Sequence, residues 1–277
     1  MVSDDLPASS LSVKSRPSVH LALLGGFDLV VDDVPVAVPV GSKRLLAFIA
    51  LNYRVSVPRA LIAGNLWPDV CEQKAHTNLR AALTRLHDLG RMALDVSPCE
   101  VRLARKVTVD LYDARSLAQH ILDPRVPAED LELNAATVDQ LSADLLPGWY
   151  DEWAVLEAEK WHQLRLHALE QLAGEFIDTE QFAGAVTAAH TAVQADPLRE
   201  SSQASLIRAH LAEGNLAEAL EHFERYARRL RNELGLRPTQ RLRRLVAGLR
   251  QPRTGQSSRE ADIRDRDANA RSRAGPR

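Results

Sequence analysis

The residues best placed to do chemistry in this chain are basic, and they cluster. Residues 41–91 hold Lys43, Arg44, Arg54, Arg59, Lys74, Arg80, Arg85 and Arg91 against Asp69, Glu72 and Asp88, a surplus of five positive charges. Cations gathered at this density can neutralise phosphates, and phosphate contacts dominate affinity for DNA. The whole chain is close to neutral, with 35 Lys and Arg against 37 Asp and Glu in 277 residues, so the surplus is a local property. A solvated helical face without a nucleic-acid partner has a similar composition. Position in the fold decides between the two.

Apolar spacing supplies that position. Leu79, Ala82, Leu83 and Leu86 recur with helical period over Glu72–Leu89, with Gly90 as a natural stop. Lys74, Thr77, Asn78, Arg80 and Arg85 accompany this seam as candidate DNA contacts. An exposed Arg can donate to guanine O6 and N7, and Asn can pair with adenine, so base reading and phosphate clamping stay open as alternatives. Lys43 and Arg44 at a helix start, and Arg102, Arg105 and Lys106 near a hairpin, are candidate phosphate contacts.

The elements that must hold these side chains follow from periodicity and turn signals. Val19–Val40 is β-branched and aliphatic, punctuated by Gly25-Gly26, Asp32-Asp33, Pro35 and Pro39, which predicts short strands with tight turns. Ser42 is the expected N-cap of a helix through Tyr53, and Pro58 opens a second helix through Leu66. Trp67-Pro68 reads as core plus turn. After the third helix, residues 93–109 alternate weakly, with Ser97-Pro98 at a hairpin tip. Strands, three helices and a hairpin make a winged helix with a small extra sheet. The expected division is a flexible terminus over 1–18, a winged-helix DNA-binding domain over 19–113, a connecting segment over 114–138 and a helical domain over 139–249. A disordered, Arg-rich tail over 250–277 completes it.

The helical segment carries an internal repeat. A shift of 34 residues aligns Leu172 with Leu206, Phe182 with Leu216, Ala185 with Ala219 and Ala189 with Phe223. Thirty-four is the tetratricopeptide period, and small residues at 185 and 219 let paired helices approach closely. Stacked repeats make surfaces suited to protein contacts. Arg199, Arg208 and Arg225 are the candidate protein-interaction residues, whereas Trp149, Tyr150 and Trp153 are expected to lock the first helix of this domain into its core. The predicted fold class is mainly α with small β-sheets: a winged helix followed by an all-α tetratricopeptide-like domain.

Enzymatic chemistry finds no support in the sequence. Gly25-Gly26 and Gly41-Ser42-Lys43 lack the full glycine-rich phosphate-binding pattern, and neither a His-Glu-x-x-His motif nor a nucleophile elbow is present. His162 and His167, five apart, miss the i, i+4 face of a metal pair, and Cys71 and Cys99 lack zinc-site spacing. No catalytic residue, cofactor or metal is therefore expected. Residues 1–18 lack the apolar core of a signal peptide and no run is long enough to span a membrane, so a cytoplasmic protein, nucleoid-associated when bound to DNA, is expected.

The same residues carry a family resemblance. Leu23-Leu-Gly-Gly-Phe27, Leu45-Leu-Ala-Phe-Ile-Ala-Leu51, Leu66-Trp-Pro-Asp69 and Asn78-Leu-Arg-Ala-Ala-Leu-Thr-Arg-Leu86 resemble the amino-terminal half of the Streptomyces antibiotic regulatory proteins. Leu145-Leu-Pro-Gly-Trp-Tyr-Asp-Glu-Trp153, Asp196-Pro-Leu-Arg-Glu200, Arg208-Ala-His-Leu-Ala-Glu-Gly-Asn215 and Glu233-Leu-Gly-Leu-Arg-Pro238 resemble their bacterial transcriptional activation domain. The resemblance implies a response-regulator-type winged helix and a three-repeat tetratricopeptide-like domain, in the small, stand-alone form. It also implies a transcriptional activator, often of secondary-metabolite genes, that binds direct repeats in double-stranded DNA, pairs there with a second copy and recruits RNA polymerase or its sigma factor. The recognition helix would be the one through Asn78, Arg80 and Arg85. His87-Asp88 stands where the family has a final basic pair, which weakens the electrostatics. The alternative from another class is an interaction scaffold that works through the repeats with little specific DNA binding.

Overall fold

The computed structural model describes residues 18–52 and 55–250. The expected flexible start over 1–18 and disordered tail over 250–277 lie, apart from Ser18 and Arg250, outside the described residues. Two compact units form, one from residues up to 125 together with 139–165, the other from 126–138 together with 166 onward.

The first unit opens with β1 (Val19–Ala22), β2 (Asp28–Val31) and β3 (Val34–Pro35). Val19, Leu21, Leu29 and Val31 alternate inward, and β1 pairs antiparallel with β2 in the register Val19↔Val31. Asp32 and Asp33 both take positive φ, 48° and 62°, which is the two-residue hairpin turn that matches strand twist. Helices α1 (Val40–Leu51), α2 (Arg59–Leu66) and α3 (Glu72–Thr84) follow, with β4 (Val57–Pro58) between α1 and α2. A short α4 (His87–Arg91) leads to β5 (Leu94–Val96) and β6 (Glu100–Leu103), then β7 (Val107–Val109) and α5 (Asp110–Leu122). The β5–β6 hairpin turns at Ser97, whose N–H donates to the Glu100 carbonyl at 2.9 Å. It forms a three-stranded sheet in the order β4-β6-β5.

Several local expectations are corrected. Ser42 does not cap α1: Pro39 holds the N-cap position, and the buried Ser42 hydroxyl donates to the Ala82 carbonyl of α3 at 2.7 Å. The helix that begins at Glu72 stops at Thr84, not Leu89, because His87 turns into the left-handed region at φ 45°. Gly90 lies inside α4 instead of ending α3. The alternating run 93–109 is not one hairpin. Its last strand, β7, leaves for the other sheet and pairs parallel with β1 in the order β3-β2-β1-β7.

Residues 141–151, expected in a helical run, are irregular and close the first unit. The Gly25 N–H donates to the Asp144 carbonyl at 2.8 Å, and the Leu146 N–H to the Leu23 carbonyl at 2.9 Å. Trp149 stacks on Phe27 with centroids 6.1 Å apart, and Trp153 meets Phe48 edge-on at 5.2 Å. These two tryptophans behave as the predicted anchors, although they anchor to the N-terminal strands and α1. Tyr150 does not: it is 89% exposed. The Arg165 guanidinium, buried against Asp144 and the Ser142 carbonyl, lies below its ordinary pKa because burial penalises its charge more than Asp144 supports it.

The second unit is all α. It takes most of α6 (Ala135–Gln140) and the end of α7 (Glu152–Asp178), then α8 (Phe182–Ala195), α9 (Glu200–Glu213), α10 (Leu216–Leu234) and α11 (Gln240–Val246). α8 and α10 begin 34 residues apart, and Ala185 and Ala219 are both fully buried at equivalent places. Gly184 explains another close approach: a Cβ there would sit 2.7 Å from the Phe176 ring. α9 and α10 end on Gly214 (φ 88°) and Gly235 (φ 69°), the left-handed caps that glycine makes without strain. Ile207, Phe223, Tyr226, Leu230, Leu242 and Val246 form a core cluster. The fold is thus mainly α with small mixed sheets, a winged helix followed by an all-α tetratricopeptide-like region. Among the described residues no helix is long and apolar enough to cross a membrane.

Candidate nucleic-acid interface

α3 is two-faced. Ala75, Leu79, Ala82 and Leu83 are buried, and α1 and α2 both contact this helix. Lys74, Thr77, Arg80 and Arg85 are exposed, and Asn78 is half-buried. The Thr77 hydroxyl donates to the Gln73 carbonyl at 2.9 Å and accepts from the Arg80 guanidinium at 3.2 Å. That contact holds Arg80 along the helix surface instead of letting it sweep freely. Ser42 fixes the other side of α3 through the Ala82 carbonyl.

The remaining candidates divide. Arg105 and Lys106 are exposed on the turn between β6 and β7. Arg102 is half-exposed and bonded across the hairpin to Asp95 at 3.1 Å. Lys43 and Arg44 are occupied within the fold. The Lys43 ammonium lies 5.5 Å over the Phe27 ring, and Arg44 makes a two-pronged ion pair with Asp151. A phosphate reaching Arg44 would have to displace a carboxylate already in place. Sequence reasoning named Arg59 only for its charge, whereas its side chain reaches the hairpin tip and donates to the Ser97 carbonyl at 3.3 Å. No sequence signal links positions 59 and 97, because strand pairing beside them makes the contact.

Other polar features of this unit are structural. Asp110 accepts from the Leu23 and Leu24 N–H groups at 2.9 and 3.0 Å, tying the start of α5 to the end of β1. Burial works against the charged form of Glu157, but Lys160 and Arg115 outweigh it and hold the carboxyl below its ordinary value. A cleft of about 610 Å³ between Gly64–Val70 and Tyr150–Leu156 is separate from the α3 face, and of the DNA candidates only Arg44 lines it. Cys71 and Cys99 are free and exposed, and no cluster of three metal-ligating side chains occurs among the described residues.

In the second unit, Arg199 is engaged within the fold. It lies half-buried with its Nε 2.9 Å from Glu170, and the same carboxylate oxygen accepts from Ser201 and Ser202 at 2.7 Å. Arg208 is half-buried, while Arg225 is exposed and bonded to Glu221 at 2.6 Å.

Comparison with known proteins agrees with this architecture. The solved structure of Mycobacterium tuberculosis EmbR in complex with a low-affinity phosphopeptide matches with a TM-score of 0.60 at 20% identity, over 86% of this chain and 66% of the EmbR chain. At that identity the likeness concerns the fold, and this chain spans just under two thirds of the EmbR length. No curated protein matches. Residues 110–250, just over half of the chain, match the bacterial transcriptional activator domain, and the chain belongs to that family.

Proposed function

We propose that the chain is a sequence-specific DNA-binding transcriptional activator of the Streptomyces antibiotic regulatory kind. α3 enters the major groove, the β5–β6 hairpin lies beside it, and α1 and α2 brace the backbone. The observation that carries this reading is the exposed row Lys74, Thr77, Arg80 and Arg85 opposite the buried Ala75–Leu79–Ala82–Leu83 stripe. Arg105 and Lys106 add phosphate contacts, whereas Lys43, Arg44 and Arg102 first serve the fold.

One winged helix touches few base pairs, and each correct pair contributes about 1–3 kcal/mol of discrimination. Useful specificity therefore favours two copies on adjacent direct repeats. The helical unit contacts a protein partner, RNA polymerase or its sigma factor, and the protein performs no catalysis of its own. Secondary-metabolite genes are the targets that the family resemblance favours, with the cytoplasmic nucleoid as the place of action.

The test is a salt titration of binding to promoter DNA from the chain's own genomic neighbourhood. Log affinity should fall steeply with log salt, and Arg85→Ala should lower the slope by about one while weakening specific over random binding. A flat plot, or no preference over random duplex at low salt, would overturn the reading. Such a result would favour an interaction scaffold, to which exposed Asp88 beside Arg85 and the pairing of Arg44 and Arg102 lend support.

A further inference from the structure

α8 and α10 enclose a cleft of about 360 Å³ in the helical unit, and its lining has one sign of charge. His190 comes from α8, and His222, Arg225 and Arg229 come from α10; among the described residues no Asp or Glu lines the cleft. Val193 and Pro197 add apolar surface, and the Gln194 and Gln203 amides supply uncharged donors. Behind His222, the His210 ring of α9 stacks at 5.1 Å with an interplanar angle of 15°.

We propose that this cleft docks an acidic, partly apolar peptide segment of a protein partner. Charge complementarity selects the occupant: carboxylates meet the two guanidiniums, and an apolar side chain covers Val193 and Pro197. Arg225 and Arg229 make exposed i, i+4 pairs with Glu221 and Glu233, at 2.6 and 2.8 Å, which an incoming carboxylate can replace. Duplex DNA fits less well. A phosphate backbone is tracked by free cations spread along a surface, whereas these converge on a hollow with apolar walls and are already paired. The inference deepens the proposed protein-contact role of the helical unit and rests on it.

A titration accompanies docking. Burial first, then the charges of Arg225, His210 and His190, hold His222 below its ordinary pKa, against a smaller opposing pull from Glu221. From α9, Glu213 approaches His210 at 4.0 Å. Carboxylates placed in the cleft favour the protonated imidazole, so docking takes up a proton and tightens as pH falls toward 6.

The probe is a fluorescein-labelled peptide of about twelve residues alternating Asp and Glu with Leu, read by anisotropy on the full chain at low salt. Its Asn/Gln counterpart and a random duplex are the comparisons. The acidic peptide should bind at least about tenfold more tightly than the amide peptide, and Arg225→Gln with Arg229→Gln should remove roughly that advantage. Circular dichroism checks that the double variant keeps its helices, and Arg225→Lys with Arg229→Lys should restore part of the binding. His222→Phe should abolish the tightening at lower pH. Equal binding of both peptides, or a double variant that keeps the acidic peptide, overturns the proposal. So does a double variant that loses only duplex binding, which would assign the cleft to DNA. Because the readout is peptide binding, failure here leaves the Arg85 test intact. Failure of the wider protein-contact role shows separately, as equal transcription from the chain with and without residues 166–250.

Discussion

Replacing Ser42 with Ala tests how α3 is held in place. The Ser42 hydroxyl, fully buried, donates to the Ala82 carbonyl at 2.7 Å. Ala82 is among the last four residues of α3, whose carbonyls a helix leaves without an amide partner of its own. Removing the hydroxyl leaves this carbonyl buried and unmatched, at a cost of about 1–3 kcal/mol. Ala is the better helix former, which returns up to roughly 0.5 kcal/mol within α1. The expected net loss is about 0.5–2.5 kcal/mol. All four tryptophans, Trp67, Trp149, Trp153 and Trp161, lie in the first unit, so urea unfolding followed by tryptophan fluorescence reports on that unit alone. The last turn of α3 carries Thr84 and leads into Arg85, so DNA affinity should weaken as well. A stability loss below about 0.5 kcal/mol would refute the part assigned to the Ser42–Ala82 bond in holding α3.

Two further outcomes concern the helical unit. Gly184→Ala brings a Cβ to 2.7 Å from the Phe176 ring, an overpacking cost of about 1–3 kcal/mol that outweighs the helix-propensity gain of roughly 1 kcal/mol. The loss should appear in helical circular dichroism melts and disappear in a Phe176→Leu background; a stabilised single variant would contradict the close approach. His222 is depressed in the folded state, chiefly by burial, so the unfolded chain binds the proton more readily. Stability contributed by neutral His222 is complete above about pH 6.5 and falls away as the solution is acidified through that value, until the lower folded pKa is passed. Melting temperatures across this window should therefore drop less in His222→Gln than in the parent chain, and parallel curves would count against the assignment.

What the sequence reveals depends on how local the cause is. The strands over Val19–Val40 were readable from the β-branched and aliphatic run, and Asp32-Asp33 marked the turn, while the inward alternation of Val19, Leu21, Leu29 and Val31 emerged with the pairing. The 34-residue offset was readable because Ala185 and Ala219 answer the same steric demand. The break after Thr84 was not, since Arg85–Gly90 continues a helical pattern and only His87's backbone departs from it. Ser42 looked like a cap by type, but its partner is forty residues away. Arg44 and Asp151 lie 107 residues apart, so composition counted Arg44 as a free cation while tertiary pairing had engaged it. Tyr150 illustrates the converse: three aromatics in five positions suggested a core, yet the irregular backbone at 148–151 sends Trp149 and Trp153 inward and Tyr150 out.

That backbone sets where the winged-helix unit can be cut. A fragment ending at residue 125 keeps β1–β7, α1–α5 and all the candidate DNA contacts. It loses Trp149 and Trp153, leaving Phe27 and Phe48 without their aromatic partners, and it leaves Arg44 without Asp151. Leu23 and Gly25 also lose the backbone bonds that reach Leu146 and Asp144. Burying one large apolar side chain contributes about 1.5–3 kcal/mol, and each aromatic pair about 0.5–1.5 kcal/mol more. Two tryptophans and two pairs therefore sum to several kcal/mol, comparable with the whole stability of a small domain. A fragment ending at 165 retains all of these contacts, so it should melt cooperatively and keep the salt-dependent DNA binding of the full chain. The fragment ending at 125 should melt lower or fail to fold, despite containing every residue assigned to DNA. Equal melting temperatures for the two fragments would show that residues 139–165 only accompany the winged helix, and that its core is complete without them.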